Sequence, residues 1–429
     1  MNLRRKIFWF LDKIKGQPLK QLCKQTHTIL EAENREWSKA ENTKQLDKLI
    51  AHATQTTSFY SNKGFKHLQD FPVINKNIIR EDYDAFLSKK FDKSKCRQVF
   101  TSGSTGSPFR IYHNKEKVQK INADNIWFSS QANYNIGDPL IFIRAWLFKL
   151  TLKIKLDYFK KNITPVSTFD VIENGVEQFL EKLNAKGKAL SFMMYGSTLE
   201  HICKYLDSVE KSLIKFKTRS IITISDALSS YAKEAAQKHF GITPLSRYSN
   251  TESGIIAQQL FDSQDQFRIN NSSFVIEIFD LEKDVLLPHG QAGRIVLTDL
   301  YNFAMPLIRY DTGDVGIMSI DNSGTPFLTQ ILGRKLDQLF TTTGKLLPSL
   351  FMSSMLNEFG EFKQYQIVQK TKIEYHINLN TEKEFDAKKL IEKYKSYFGK
   401  DAIVKVKIVN DIPLLSSGKR RQVVNEYYK

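Results

Sequence analysis

The sequence predicts an α/β protein with a large, layered, multi-sheet N-terminal domain and a small α+β C-terminal domain. The chain has 429 residues, of which 41% are hydrophobic, so it is longer than a single core usually grows. From residue 98 onward, short apolar stretches alternate with amphipathic ones, as in α/β proteins. After residue 335 a new set of strands and helices begins. We therefore expect one domain at 1–335 and a second at 336–429.

The elements follow from apolar spacing and turn residues. Residues 19–60 have helical periodicity, and a short strand at 98–100 runs into a turn-rich stretch. Beyond it, strands predicted at 139–145, 190–195 and 220–224 alternate with helices predicted at 176–183, 199–206 and 230–239. A strand-rich region follows at 274–299. In the C-terminal domain we expect strands at 364–369, 373–378 and 402–409, with a helix at 387–397.

The composition narrows the classes of function. A net charge of +17 favours anionic partners, but the basic residues are spread along the chain, which argues against a nucleic-acid module. The three cysteines lie far apart and form no CxxC pair, which fits a reducing, cytoplasmic location. No stretch approaches the ~20 apolar residues of a membrane span, and no signal-peptide pattern is present. We expect a soluble protein.

The basic and aromatic stretch at residues 4–11, RRKIFWFL, has two interpretations. It could lie on a membrane surface as an amphipathic helix, which would make the protein peripheral at the inner face of the membrane. Alternatively, it is a terminal helix packed on its own domain.

Two segments have the residues of a phosphate site. The stretch 101–106, TSGSTG, places glycines and hydroxyls in one loop after a strand, so its N–H and O–H groups can surround phosphate oxygens. Alone, such a run is more often a flexible loop than a phosphate site. The stretch 247–254, RYSNTESG, offers an aromatic face, hydroxyls and a carboxylate suited to Mg²⁺.

Three further motifs follow in order. Residues 305–314, MPLIRYDTGD, end in a turn with a carboxylate that can accept hydrogen bonds from both ribose hydroxyls. Residues 332–337 read LGRKLD, and residues 412–421 end in the basic sequence SGKRR. We see no Ser-His-Asp order and no histidine cluster, and we interpret His113, His201 and His239 as isolated residues. Hydrolase and metalloenzyme chemistry are therefore not favoured.

In this order and spacing, the five motifs resemble those of the adenylate-forming superfamily of acyl-CoA synthetases, peptide-synthetase adenylation domains and luciferases. Within it, the sequence is most similar to the phenylacetate-CoA ligase branch and its CapK-type relatives from capsular-polysaccharide loci. Phe71, Pro72 and Val73, with Lys76 and Arg80, resemble an upstream segment of that branch. The resemblance covers residues 70–425.

The resemblance implies an AMP-forming carboxylate–CoA ligase with ATP, Mg²⁺ and CoA, a small-molecule carboxylic acid as substrate, and a mobile C-terminal lid. It implies catalytic roles for Lys419, Thr251 and Glu252, with Glu252 also binding the metal. Its implied nucleotide-binding residues are Thr101, Ser102, Gly103, Ser104, Thr105, Gly106, Asp226, Tyr248, Ser249, Asp314 and Arg334. Tyr195, Gly196 and Ser197 would line the acyl pocket, although aromatic residues in α/β proteins more often belong to the core.

Departures from the pattern leave alternatives open. Ser249 replaces a common glycine, and Leu336 precedes Asp337 at the hinge about which such lids rotate, so thiol transfer is less directly implied than adenylation. The acceptor is CoA, a carrier-protein thiol or an amine, and a glycan is the final recipient that CapK-type relatives suggest. The alternative from another class is a non-catalytic nucleotide-binding scaffold at the membrane.

Overall fold

The computed structural model of the protein describes residues 2–31, 35–61, 63–101, 109–144, 150–173, 175–209, 213–261, 263, 265–334, 339–347, 355–360, 362–413 and 421–427. Its helices are α1 Leu3–Ile14, α2 Pro18–Glu31, α3 Arg35–Thr56, α4 Lys76–Glu81, α5 Lys115–Gln131, α6 Leu152–Lys161, α7 Thr168–Glu173, α8 Val176–Asn184, α9 Gly196–Ser208, α10 Ser230–Phe240 and α11 Ala387–Phe398. Its strands are β1 Arg97–Thr101, β2 Phe109–His113, β3 Leu140–Arg144, β4 Ile163–Ser167, β5 Leu190–Tyr195, β6 Thr218–Ile224, β7 Leu245–Asn250, β8 Gly254–Gln259, β9 Phe267–Ile269, β10 Phe274–Phe279, β11 Ala292–Asp299, β12 Tyr310–Ile320, β13 Pro326–Arg334, β14 Leu339–Phe340, β15 Leu346–Leu347, β16 Gln364–Gln369, β17 Glu374–Asn380, β18 Ile403–Ile408 and β19 Val423–Asn425.

The strands β3 to β13 join in one eleven-stranded sheet, in the order β10-β11-β12-β13-β9-β8-β7-β6-β5-β3-β4. The strands β4, β3, β5, β6 and β7 run parallel, whereas the pairs from β7 to β10 are antiparallel. Parallel neighbours require crossover connections, which helices α6 to α10 provide. The predicted layered α/β class is confirmed, and its large sheet is continuous.

The parallel half of the sheet is covered by the crossover helices. Apolar residues of β5, including Phe192 and Met194, share a buried cluster with Leu199 and Ile202 of α9. A second cluster joins α3 and the following segment to the antiparallel half, where Tyr60 and Phe71 pack with Tyr310. The two clusters therefore pack against the two halves of the large sheet, which carries the candidate site.

The antiparallel half of the sheet bends back toward β7. The Tyr248 hydroxyl on β7 donates to Asp314 Oδ2 on β12 across 2.7 Å, although these strands are four positions apart in the sheet. In a flat sheet four strand spacings amount to roughly 19 Å, beyond the reach of two side chains. The contact therefore requires the sheet to curve.

The C-terminal sheet has the order β18-β17-β16-β19 and carries α11 on one face. Its core includes a stacked ring pair, Tyr375 on β17 and Phe398 on α11, with centroids 3.9 Å apart. The small α+β unit is confirmed as part of the fold. The predicted division at residues 335 and 336 falls at residues outside the described part of the chain and remains a prediction.

Replacing Phe398 by alanine tests the core of the C-terminal unit. The substitution removes a fully buried ring and its stacking on Tyr375, and we expect it to destabilise the unit by about 3–5 kcal/mol. Thermal unfolding and hydrogen exchange of the β17 amides measure the loss. The neighbouring Tyr397→Ala, at a side chain 36% exposed, is the control, with an expected cost of about 1 kcal/mol or less. Equal losses would contradict this account of the core.

Candidate functional site

Three groups of predicted site residues follow three adjacent parallel strands. Gly196 and Ser197 come directly after β5, Asp226 follows β6, and Thr251 and Glu252 follow β7. Because the carboxyl ends of parallel strands meet at one edge of a sheet, these side chains share that edge. This is where open α/β sheets usually bind ligands. The sheet also changes from parallel to antiparallel pairing at β7, so the turn after β7 lies at a switch in topology.

The turn after β7 presents Thr251 to solvent and Glu252 to the interior. The Ser253 N–H donates to Asn250 Oδ1 at 2.7 Å, which closes the turn. Gly254 then adopts a φ of +98°, and a side chain there would meet Ile121 at 3.2 Å. The turn needs glycine at this position because of both the backbone conformation and the close approach.

The Glu252 carboxylate is 4% exposed and has two described partners. Lys76 Nζ forms an ion pair with Glu252 Oε1 at 2.5 Å, and the Tyr310 hydroxyl donates to the same oxygen at 3.3 Å. Burial raises the pKa of Tyr310 well above its usual range, and the Glu252 charge adds to this effect. Tyr310 therefore remains a neutral hydrogen-bond donor. The Glu252 carboxylate is thus held between one ammonium group and one neutral hydroxyl.

Two side chains hold the main chain of this turn from the interior. His113 Nε2 donates to the Glu252 carbonyl at 2.7 Å, and Lys117 Nζ donates to the Ser253 carbonyl at 2.8 Å. Lys117 also pairs with Asp299 at 2.6 Å, and both side chains are fully buried. Burial raises the pKa of Asp299, while Lys117 opposes that shift. His113, which was assigned to no histidine cluster, supports the turn that carries Glu252 through its ring.

Tyr248 and Asp314 form the second part of the site. Besides its bond to Asp314, the Tyr248 hydroxyl lies 3.3 Å from Thr312 Oγ1. Burial raises the pKa of Tyr248 well above its usual range, with a further contribution from the Asp314 charge. Ser249 lies beside a register irregularity between β7 and β8, and Asp314 is paired with the backbone of Arg334 across β12 and β13. The predicted aromatic and ribose-binding residues are thus brought together.

Asp226 contacts the predicted acyl-pocket residues. Its carboxylate accepts from the Gly196 N–H at 2.6 Å and from the Ser197 hydroxyl at 2.6 Å, at the N-terminus of α9. A side chain at position 196 would come within 2.6 Å of the Ala227 carbonyl, so glycine is required there. The neighbouring Tyr195 is buried. In this structure Asp226 caps α9, a structural role that the sequence did not indicate.

Some predicted residues lie outside the described part of the chain. They are Ser102, Gly103, Ser104, Thr105, Gly106 and Lys419, together with Leu336 at the predicted hinge. The backbone of Thr101 ends β1 and pairs with Phe109 of β2. The phosphate-loop and lysine assignments therefore remain predictions.

Comparison with known proteins agrees with this architecture. Residues 339–426 match the family model described as the CapK C-terminal domain. The chain is 22% identical over 378 residues to Protein CapK of Staphylococcus aureus, covering 84% of this chain and 80% of that protein. It is 24% identical over 366 residues to a phenylacetate-coenzyme A ligase of Thermus thermophilus, covering 79% of this chain and 80% of that one.

Solved structures share the fold. A 2-hydroxyisobutyryl-CoA ligase in its postadenylation state superposes with a TM-score of 0.66 at 16% identity, covering 92% of this chain and 91% of that one. ATP-bound MatB from Rhodopseudomonas palustris gives 0.56 at 15% identity, covering 78% and 68%. The chain has the fold of the adenylate-forming superfamily. Its resemblance to the CapK and phenylacetate-CoA ligase branch is confirmed.

Three residues of the site were not assigned a role from the sequence: Lys76, His113 and Lys117. They lie 135 or more residues before the turn that they contact, and on their own elements they look like ordinary surface or core positions. The sequence did contain a signal for Lys117, Lys120 and Asp124. These charged residues recur at helical spacing on the same face of α5 as the apolar Ala123 and Trp127. Charges on such a face indicate buried ion pairs.

The protonation of His113 provides a pH-dependent test of the turn. Burial lowers the pKa of His113 to about 4, with Lys117 contributing. Below an ordinary histidine pKa of about 6.5 the unfolded chain takes up a proton that the folded chain refuses, so stability falls by roughly 3 kcal/mol as the pH drops through this range. We expect His113→Gln, whose amide can still donate to the Glu252 carbonyl, to flatten this part of the stability profile.

Urea unfolding at several pH values from about 7 to about 4.5 measures the effect. The exposed His289→Gln is the control, and its profile is expected to follow the unsubstituted protein. A His113→Gln profile as steep as that of the control would show that His113 is not buried in its neutral form.

Proposed function

We propose that the chain is an AMP-forming carboxylate–CoA ligase, which activates a carboxylic acid with Mg·ATP and transfers the acyl group to the thiol of CoA. One observation carries this proposal: the Tyr248–Asp314 pair and the Glu252 carboxylate lie beside the same strand, β7. They do so in a chain that has the fold of the adenylate-forming superfamily. The names of the phenylacetate-CoA ligase relatives support the same class.

The reaction has two balanced steps. In the first, a carboxylate oxygen of the acid bonds to the α-phosphorus of ATP, the bond to the bridging oxygen breaks, and pyrophosphate leaves. In the second, the thiol sulfur attacks the acyl carbon, AMP leaves with the carboxyl oxygen, and the thiol proton passes to solvent. The first step brings two anions together, so it requires cations and aligned donors more than a strong base.

The residues present fit a nucleotide with a divalent cation. Asp314 would accept hydrogen bonds from the ribose hydroxyls, Tyr248 would lie against the adenine, and Thr251 would contact the α-phosphate. Glu252 offers buried carboxylate oxygens, the ligand type that Mg²⁺ prefers, and it already pairs with one cation, the Lys76 ammonium. When bound, Mg²⁺ supplies positive charge to the phosphate oxygens. Lys419 would be the single mobile cation that contacts both the substrate carboxylate and the α-phosphate.

The acyl pocket would be formed by Tyr195, Gly196 and Ser197. Asp226 holds the first two N–H groups of α9 and the Ser197 hydroxyl, so this wall of the pocket is fixed in position. A fixed wall favours selection of the acid by shape. Gly196 would contribute its backbone to this wall, because the Ala227 carbonyl leaves no room for a side chain there.

The likeness to Protein CapK supports a further step, in which the activated acyl group is passed to a polysaccharide or related glycan. The three free cysteines support a reducing, cytoplasmic setting. Among the described residues, no helix has the length and apolar character to cross a bilayer. Residues 4–11 lie on helix α1 and support peripheral contact with the inner face of the membrane.

Acid-dependent exchange of pyrophosphate into ATP tests the proposal. A panel of aryl, fatty, hydroxy and amino acids is assayed, and we expect exchange with one class. Lys419→Ala is expected to reduce exchange by ~10²-fold or more, because the transition-state charge loses its cation. Lys407→Ala, at an exposed lysine of the same C-terminal unit, is the matched control and is expected to leave exchange unchanged.

Adding CoA to the assay identifies the acceptor. Formation of an acyl-CoA with release of AMP supports the proposal. Exchange without CoA turnover would assign the acceptor to a carrier-protein thiol or an amine. ATP binding without exchange for any acid would favour the nucleotide-binding scaffold.

Replacing Asp314 by asparagine tests the ribose contact. The variant keeps the size of the side chain but removes the charge that accepts hydrogen bonds, so we expect the KM for ATP to rise by about 10-fold or more with a smaller change in kcat. Asp47→Asn, an exposed aspartate on α3, is the control. An unchanged KM for ATP in Asp314→Asn would remove Asp314 from the nucleotide site.

A further inference from the structure

Helices α1 and α6 expose an unusual number of large apolar side chains. On α1 these side chains recur at helical spacing, and on α6 they do the same. We define the two-helix face as Leu3, Ile7, Phe10, Leu11 and Ile14 of α1 with Leu152, Leu156 and Phe159 of α6, each 49% exposed or more. Exposed apolar patches of this kind mark sites of contact with a partner.

The orientation of α1 is the reverse of that of an ordinary surface helix. Such a helix turns its apolar stripe toward the core. Here α1 is attached by polar groups instead: Arg5 pairs with Asp138 at 3.2 Å, and the Asn2 side chain donates to the Gly137 carbonyl. At its other end the buried Asp12 accepts from the Leu19 N–H at 3.2 Å and from the Lys20 N–H at 3.0 Å. The helix is therefore fixed to the body while its apolar stripe faces solvent.

The two helices meet at one point. The Arg4 guanidinium donates to the Phe159 carbonyl and lies over the Phe159 ring, 4.8 Å from its centroid. Phe159 remains 68% exposed despite this contact. The first turn of α1 therefore lies against the exposed Phe159 of α6.

Both helices are basic. Each has four Lys or Arg residues and one Asp, a net charge of +3. The acidic residues are engaged, since Asp12 is buried and Asp157 pairs with Lys161 at 2.8 Å. Exposed lysines border the apolar groups, as in helices that lie on anionic membranes: Lys6, Lys13, Lys153, Lys155 and Lys160.

We propose that the two-helix face binds the surface of an anionic lipid bilayer, with the apolar side chains among the acyl chains and the lysines at the headgroups. The charge selects this occupant over a second copy of the chain. A self-complementary contact would place two faces of the same positive charge against each other. The inference extends the proposed membrane contact of residues 4–11 by adding α6, and it does not depend on the proposed ligase activity.

The attachment of α1 and the C-terminal end of α6 lie away from the candidate site. The first turn of α1 is attached at residues 136–138, just before the amino end of β3, and α6 ends just before the amino end of β4. The site residues follow the carboxyl ends of β5, β6 and β7. Since these strands are parallel, the attachment and the site lie at opposite edges of the sheet.

Vesicle co-sedimentation of the full chain tests the proposal. Vesicles of phosphatidylcholine with phosphatidylglycerol are compared with vesicles of phosphatidylcholine alone, and we expect at least ~10-fold tighter binding to the anionic vesicles. The double variant Phe10→Asp/Leu156→Asp removes one exposed apolar group from each helix. The double variant Phe261→Asp/Leu286→Asp is matched in residue type, exposure and charge change, but lies elsewhere on the surface.

We expect the α1/α6 variant to lose binding by ~10-fold or more and the matched variant to lose less than ~3-fold, since the matched variant keeps the apolar insertion. Hydrogen exchange of the unsubstituted protein on vesicles is expected to show protection confined to α1 and α6. Pyrophosphate exchange is expected to be unchanged in both variants, which separates this proposal from the proposed activity.

Three results would overturn the inference. The first is an absence of vesicle binding by the unsubstituted chain. The second is equal loss in the two double variants, which would attribute binding to net charge. The third is a dimer in sedimentation velocity that Phe10→Asp/Leu156→Asp dissociates without any vesicle binding, which would assign the face to a second copy.

Discussion

The candidate site depends on one constraint, the fixing of the turn after β7 by buried cationic and hydrogen-bonding groups. His113 and Lys117 hold the carbonyls of Glu252 and Ser253, and Asp299 neutralises Lys117. Burying this ion pair costs solvation free energy, which only close polar partners offset. Removing any one member would therefore leave a buried charge or carbonyl without a partner. The network therefore permits one main-chain path for the turn, and that path fixes where the Glu252 carboxylate lies.

The curvature of the sheet provides the second half of the site. The parallel strands bring Ser197, Asp226 and Glu252 to one edge, but Asp314 belongs to a strand four positions away. The bend of the antiparallel half carries Asp314 to the Tyr248 hydroxyl. The carboxylates of Asp314 and Glu252 thus lie beside the same strand, β7.

Local patterns in the sequence predicted most of the elements but few of the contacts. The bounds of the strands β3, β5 and β6 and of the helices α8, α9 and α10 were predicted to within a few residues. A strand buried on both faces is a short continuous apolar run, and a helix buried along one stripe has apolar residues at helical spacing, so both patterns are visible in the sequence. The predicted helical region at 19–60 contains α2 and α3. His113 gave no local signal, and Lys76 was recognised only as part of the upstream family segment, because their partner, Glu252, lies far away in the chain. The Asp226 cap of α9 was missed for the same reason.

The sequence by itself determined the α/β class, the ordered motifs and the basic, aromatic character of residues 4–11, since these are properties of composition and short-range spacing. The tertiary structure alone decided which side of each element meets which partner. It brought Tyr248 to Asp314 through a bent sheet and turned the polar side of α1 toward Asp138, leaving the apolar side exposed. The physical reason is that periodicity identifies an apolar stripe without specifying what covers it, whereas ion pairs and hydrogen bonds between distant residues fix the orientation.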